Sequence, residues 1–176
     1  MIETIHQNSF LLSQILISIA ILFDILSFQF KARKKILLCL VIAGIFISTH
    51  FLLLGNITAS LLMAVAVIRY ASSYFYASTK LCSLFLIISL AVMISTFSGI
   101  LSILSFLGSS FQTMGAFSKN DKRLRELMLI GTSIWLIHNF MAGSPGAVIM
   151  EVIFLSSNII GYYRYYILKS PIKNQE

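Results

Sequence analysis

The 176-residue sequence predicts an all-α integral membrane protein, with seven transmembrane helices forming two parallel three-helix repeats joined by a linker helix. Three observations carry this expectation. Hydrophobic residues make up 58% of the chain and charged residues only 11%, far from the composition of a soluble domain. Basic residues gather in alternate loops. The chain also aligns with itself without a gap at an offset of 88 residues, 31–35 falling on 119–123 and 50–55 on 138–143, which is the mark of an internal repeat.

Apolar runs of spanning length, about 17–25 residues each, lie at 9–30, 36–54, 57–76, 81–97, 99–117, 124–142 and 146–168. They leave no room for a soluble domain, so residues 1–176 read as a single membrane domain. The first run carries Glu3 ahead of it instead of a basic cluster, and it is long and followed by "KARKK"; it reads as a retained helix and not a cleaved signal. The second run ends just before Gly55 and the third at the tyrosine-rich stretch around Tyr76, closing a first repeat over 9–76. The fourth, within 77–98, is the linker: three helices reverse the direction of the chain, and one further crossing restores it. The remaining three form a second repeat over 99–168, with Pro145 starting the last helix and Gly55, Gly143 and Gly146 shaping the turns. A cytoplasmic tail, 169–176, follows.

The formal net charge is +7, but the placement of the charges argues against nucleic acid. Lys31, Arg33, Lys34 and Lys35 fall in the first loop, Lys80 in the third, and Lys119, Lys122, Arg123 and Arg125 in the fifth. Arg164, Lys169 and Lys173 stand at the C-terminal end, while the turns near Asn56, Ser98 and Ser144 carry no charge. The positive-inside rule makes the basic side cytoplasmic, with the N-terminus outside and the C-terminus inside. The lipid bilayer is the predicted partner. Cys39 and Cys82 lie near cytoplasmic helix ends without metal-ligand spacing.

Within the spans stand Asp24, His50, Arg69, His138 and Glu151, with Gln14, Gln112, Asn139 and Asn158 as neutral companions. A charge at the bilayer centre costs about 2.5–3.5 kcal/mol or more, so each of these should face the bundle interior and a partner. His138 and Glu151 flank the turn "GSPG" and lie roughly 7 Å below it at 1.5 Å per residue. As neighbours across a hairpin they would share a proton at the mouth of a polar cavity, or tie the two helices together. His50 has no acid at its equivalent site, which is Met63, and is expected to look across toward His138 and Glu151. Asp24 and Arg69 have similar depths and form an ion pair candidate, structural or an inner gate; with Asp24 turned elsewhere, Arg69 would be free for an anionic solute. Asn158 lies two turns deeper than Glu151 on the same helix face, where its amide would line a track or bond a neighbouring helix.

The stretches "HFLLLGNITASLLMAVAVIR" and "WLIHNFMAGSPGAVIMEVIFLSSNIIGYYR" resemble the bacterial inner-membrane YgjV family over most of the chain. The 3+1+3 layout is also similar to the SWEET, PQ-loop and PnuC group. The resemblance implies a multi-pass inner-membrane location and a SWEET-like fold. It carries family-like positions onto His50, Gly55 and Arg69 in the first half, and onto His138, Asn139, Gly143, Glu151, Asn158 and Arg164 in the second. Two departures are the absence of an amide three residues before Arg69, where Ala66 stands, and the presence of an acid at Asp24.

These readings converge on a transporter of a small polar solute, sugar-like or vitamin-like, working by alternating access through a central cavity. The substrate-binding or translocation residues would be His50, Arg69, His138, Asn139, Glu151 and Asn158. The alternative is a membrane receptor or scaffold whose polar residues only hold helices together. No nucleophile-base-orienter set, phosphate loop or zinc motif points to an enzyme, and no cofactor is expected. Two histidines and a glutamate at these spacings match no metal motif.

Overall fold

The computed structural model describes the backbone of residues 2–168 and the side chains of residues 9–168. The side chain of Glu3 and the tail 169–176, with Lys169 and Lys173, lie outside the described residues. All regular structure among the described residues is helical: α1 (Ile2–Gln29), α2 (Arg33–Leu53), α3 (Ile57–Phe75), α4 (Thr79–Ser95), α5 (Ile100–Ala116), α6 (Asp121–Met141) and α7 (Pro145–Tyr162), closed by a π-helical turn, Tyr163–Ile167.

Among the described residues, four segments are long and apolar enough to cross a membrane: Ser9–Gln29, Arg33–Leu53, Ile57–Phe75 and Pro145–Ile167. Helices α4 and α5 are apolar but shorter. Helix α6 is long enough, yet it opens with Asp121, Lys122, Arg123, Arg125 and Glu126 and closes on His138 and Asn139. Helices α2 and α6 each begin three residues before the apolar runs that predict them. At α6 the Asn120 side chain accepts hydrogen bonds from the backbone N–H groups of Lys122 and Arg123, a cap that lets charged residues fill the first turn. At α2 no side chain caps the start, and the first-turn arginine reaches away to other helices.

Helix bounds and turn geometry recur at the 88-residue offset. Arg33–Leu53 matches Asp121–Met141 at both ends, and α3 and α7 start at 57 and 145. Each helix pair is joined by the same turn: Leu54 N–H donates to His50 O as Ala142 does to His138 O, and Asn56 N–H to Phe51 O as Ser144 does to Asn139 O. Gly55 and Gly143 occupy the left-handed region at φ 73° and 65°, which glycine reaches without steric penalty.

Helices α1–α3 pack consecutively, as do α5–α7, and the two halves meet where α1 lies on α7 and α3 on α5. These two contacts exchange equivalent helices. Helix α4 lies on α3 and α5 with only Phe85 and Ser89 buried, the position of a peripheral connector. Between α5 and α6 the backbones come close at Gly108 and Gly131; a Cβ on Gly131 would sit 2.9 Å from the carbonyl oxygen of Gly108. Small residues make such crossings available.

Candidate functional site

The polar residues of the interior gather at three levels: the end that carries the turns 54–56 and 142–144, the middle, and the basic end.

At the turn end the two halves clasp each other. His50 donates from Nδ1 to the carbonyl of Ser13 at 2.9 Å, and its Nε2 meets the Ser144 hydroxyl at 3.4 Å. His138 Nδ1 lies 3.0 Å from Asn139 Oδ1, and its Nε2 lies 3.4 Å from Asn56 Nδ2. Positions 50 and 138 are equivalent, as are 56 and 144, so each histidine reaches the residue that starts the third helix of the opposite half. Carbonyl partners at both Nδ1 atoms fix the protonated nitrogen of the neutral ring, leaving each Nε2 to accept. His138 is joined to Glu151 through Asn139, whose Nδ2 donates to Glu151 Oε1 at 3.3 Å. The expected direct His138–Glu151 contact is therefore replaced by a relay through one amide, because Asn139 adjoins His138 on α6 and faces α7. His50 does cross to the other half, but to the turn at Ser144 and not to the acid.

The middle level holds a cavity of about 30 Å³, room for no more than a water or two. Its lining includes Asp24, Met63, Tyr70, Gln112, Trp135 and Glu151. Several of these are equivalent pairs: 24 with 112, 47 with 135, and 63 with 151. Half of the lining is matched in this way, and Asp24 and Glu151 are the acids, set opposite Gln112 and Met63 in their pairs. Above it, a pocket of about 640 Å³ lies among the turns, bordered by Asn56, Thr58, Thr96, Ser98 and Ser144. Phe51 borders both spaces and stacks on Trp135, ring centroids 5.8 Å apart, so it is the partition between them.

The ion pair candidate Asp24–Arg69 is not formed. Arg69 Nη1 donates to Ser109 O at 2.9 Å, Ser109 Oγ at 3.2 Å and Thr113 Oγ1 at 2.6 Å, and its guanidinium lies 4.5 Å from the centre of the Tyr70 ring. The physical reason is placement: Arg69 turns toward α5, whereas Asp24 on α1 faces the cavity. The one ion pair among the described residues is Lys122–Glu126 at 4.0 Å. Asn158 bonds the neighbouring helix, the second of the two roles expected of it: its Nδ2 donates to Arg125 O at 2.9 Å and its Oδ1 accepts from Arg125 Nη1 at 3.4 Å.

The basic end contains two residues that the sequence reading left among the loop charges. Arg33 Nη2 donates to Ser73 O and Ala116 O, both at 2.7 Å, at the C-terminal ends of α3 and α5. Arg125, fully buried, donates from Nη2 to Phe30 O at 2.8 Å and Phe28 O at 3.4 Å, at the end of α1. Positions 28 and 116 are equivalent although 33 and 125 are not. Each half therefore sends an arginine from its second helix onto the C-terminal carbonyls of the first helix of the other half, where a cation is favoured by the helix dipole. Arg125 stands four residues inside the offset-matched position of Arg33, so the 88-residue offset alone does not reveal the correspondence.

Of the turn residues, Gly55 and Gly143 serve the conformation expected of them. Pro145 occupies the first turn of α7, and Gly146 permits close approach to α1, since a Cβ there would meet Gln14 Oε1 at 2.5 Å. Asn56, Ser144, Phe51 and Gln112 complete the site; Gln112 is marked in the sequence by its offset from Asp24, and Asn56 and Ser144 by their offset from each other.

Comparison with known proteins places the whole arrangement. A family described as "Bacterial inner membrane protein", Imp-YgjV, matches residues 11–169. The chain is 26% identical over 148 residues to "Inner membrane protein YgjV" of Escherichia coli (strain K12), covering 84% of this chain and 81% of that protein. No solved structure matches. With seven α-helices among the described residues, several of spanning length, and a family match across nearly its full length, the chain belongs to the Imp-YgjV family of multi-pass bacterial inner membrane proteins.

Proposed function

We propose that the protein is a transporter that carries a small polar solute through the centre of the bundle by alternating access, and that the present arrangement is its closed form. The observation that carries this reading is the central cavity, lined by Asp24, Gln112 and Glu151 and separated by Phe51 from the pocket among the turns. Acids inside a membrane are costly and mark solute or ion routes. In this reading the halves are parallel repeats with α4 as linker, supported by the matched helix bounds and turns. The basic end is cytoplasmic, supported by Lys31, Lys34, Lys35 and Lys119 and the positive-inside rule. His50 and His138 form an outer seal and Arg33 and Arg125 an inner one. Rocking of α1–α3 against α5–α7 would break one seal at a time.

The test is to place a single cysteine at Met63, a cavity residue, in a chain with Cys39 and Cys82 replaced by serine. A membrane-impermeant thiol reagent is then applied to one face or the other of oriented vesicles. Alternating access gives labelling from each face. A receptor or scaffold gives labelling from one face or neither, and that result would overturn the transporter reading.

A further inference from the structure

We infer that the pocket among the turns is the solute-binding site of the closed form, and that it takes an uncharged solute rich in hydroxyl or N–H groups, a polyol or a small amide. This rests on the transport reading for the solute's onward path; the binding site stands on the pocket itself.

Size decides where a solute can sit. The central cavity, about 30 Å³, has room for a water or two, whereas the turn-end pocket, about 640 Å³, lies within the range of small-molecule sites. Phe51 borders both spaces, so a solute in the larger one stands against the partition to the smaller. All three turns of that end build the wall: Gly55 and Asn56 between α2 and α3, Thr96 and Ser98 between α4 and α5, and Ser144 between α6 and α7. Both halves and the linker thus touch one space.

The chemistry of the wall decides the class of solute. Polar atoms form a large share of its surface, yet no acidic or basic side chain lines it among the described residues. A cation would find no carboxylate, and the first turns of α3 and α5, which border the pocket at Thr58 and Leu101, carry partial positive charge that disfavours it. An anion would find no lysine, arginine or histidine and would meet hydroxyls whose hydrogens are already engaged. Thr58 Oγ1 donates to Thr96 O at 2.7 Å, Thr96 Oγ1 to Val92 O at 2.7 Å and Ser95 Oγ to Val92 O at 3.0 Å. Each hydroxyl keeps lone pairs that accept. Neutral O–H and N–H donors match these acceptors without bringing a charge that the wall cannot balance.

Ser95, exposed on the wall, gives the test its reporter. A single cysteine at Ser95, in a full chain with Cys39 and Cys82 replaced by serine, is labelled from the turn side of proteoliposomes with a membrane-impermeant maleimide. Ribose, erythritol and acetamide are compared with sodium gluconate and ethanolamine hydrochloride, and uptake of the same solutes is followed alongside. The expected result is a saturable slowing of labelling by a neutral probe and none by the charged ones. Thr96→Val should weaken that protection by about two- to tenfold, the loss of one neutral hydrogen bond. Thr96→Asp should confer protection by ethanolamine, a gain that misfolding does not produce. Protection of the native wall by gluconate or ethanolamine, no protection by any neutral probe, or Thr96 variants that behave as their parent would overturn the inference. Protection without uptake supports the site and overturns the transport reading, whereas labelling of a cysteine at position 63 from both faces without protection at position 95 overturns the site alone.

Discussion

The two ends of the bundle perform the same task, joining one half to the other, with different chemistry. At the basic end, Arg33 and Arg125 make charge-assisted bonds of 2.7–2.8 Å to helix-terminal carbonyls. At the turn end, His50 and His138 meet Ser144 and Asn56 through neutral contacts of 3.4 Å, at the weak limit of hydrogen-bond geometry. Charge-assisted bonds contribute about 1.5–3 kcal/mol each, neutral ones about 0.5–1.5 kcal/mol. The turn end is therefore the easier to open, and it is the end that carries the 640 Å³ pocket.

This contrast can be broken most sharply at Arg125. Arg125→Met should cost about 2–4 kcal/mol of stability, because it strips buried carbonyls at Phe28 and Phe30 and the amide of Asn158 of a charged donor. Denaturant unfolding in micelles reads the loss, and Arg33→Met, at a half-buried site, should cost less. Arg125→Lys should recover only part, since an ammonium lacks the planar fork that reaches several acceptors. A loss below that of an ordinary surface substitution would remove the strong seal.

An intermediate effect is expected at the turn end. The double variant Asn56→Ala with Ser144→Ala should lower stability by no more than about 1–2 kcal/mol, two weak contacts plus part of the Asn56 bond to the Ala59 N–H. It should nonetheless raise labelling of a cysteine at position 63 from the turn side by several-fold. Unchanged labelling would mean that Phe51 packing, and not the histidine contacts, keeps that end shut. The smallest effect belongs to Lys122–Glu126, an exposed i,i+4 pair at 4.0 Å. Glu126→Gln should change stability by less than about 0.5 kcal/mol, with any excess coming from the Tyr162 hydroxyl that Glu126 also accepts.

A good part of this comparison was legible in the chain itself. The turn-end histidines could be found because an offset of 88 residues brings His50 and His138 into register, and both are conspicuous in an apolar setting. The cavity acids could be found because a buried charge demands an explanation. Asp24 and Arg69 were matched by depth along their helices, but depth does not fix azimuth: Arg69 faces α5 while Asp24 faces the cavity. Arg125 was indistinguishable from its basic neighbours Lys122 and Arg123, because the capped start of α6 carries it inside the bundle while those two stay at the surface.

Composition and charge placement by themselves determined that this is a helical membrane chain, since a lipid interior tolerates few charges and requires internally satisfied backbone. They also determined the turns, through glycines that alone enter the left-handed region readily. Tertiary structure decided which polar groups meet. Hydrogen bonds reach only about 3 Å, so the rotation of each helix about its axis selects the partners, and that rotation is set by how α1 packs on α7 and α3 on α5.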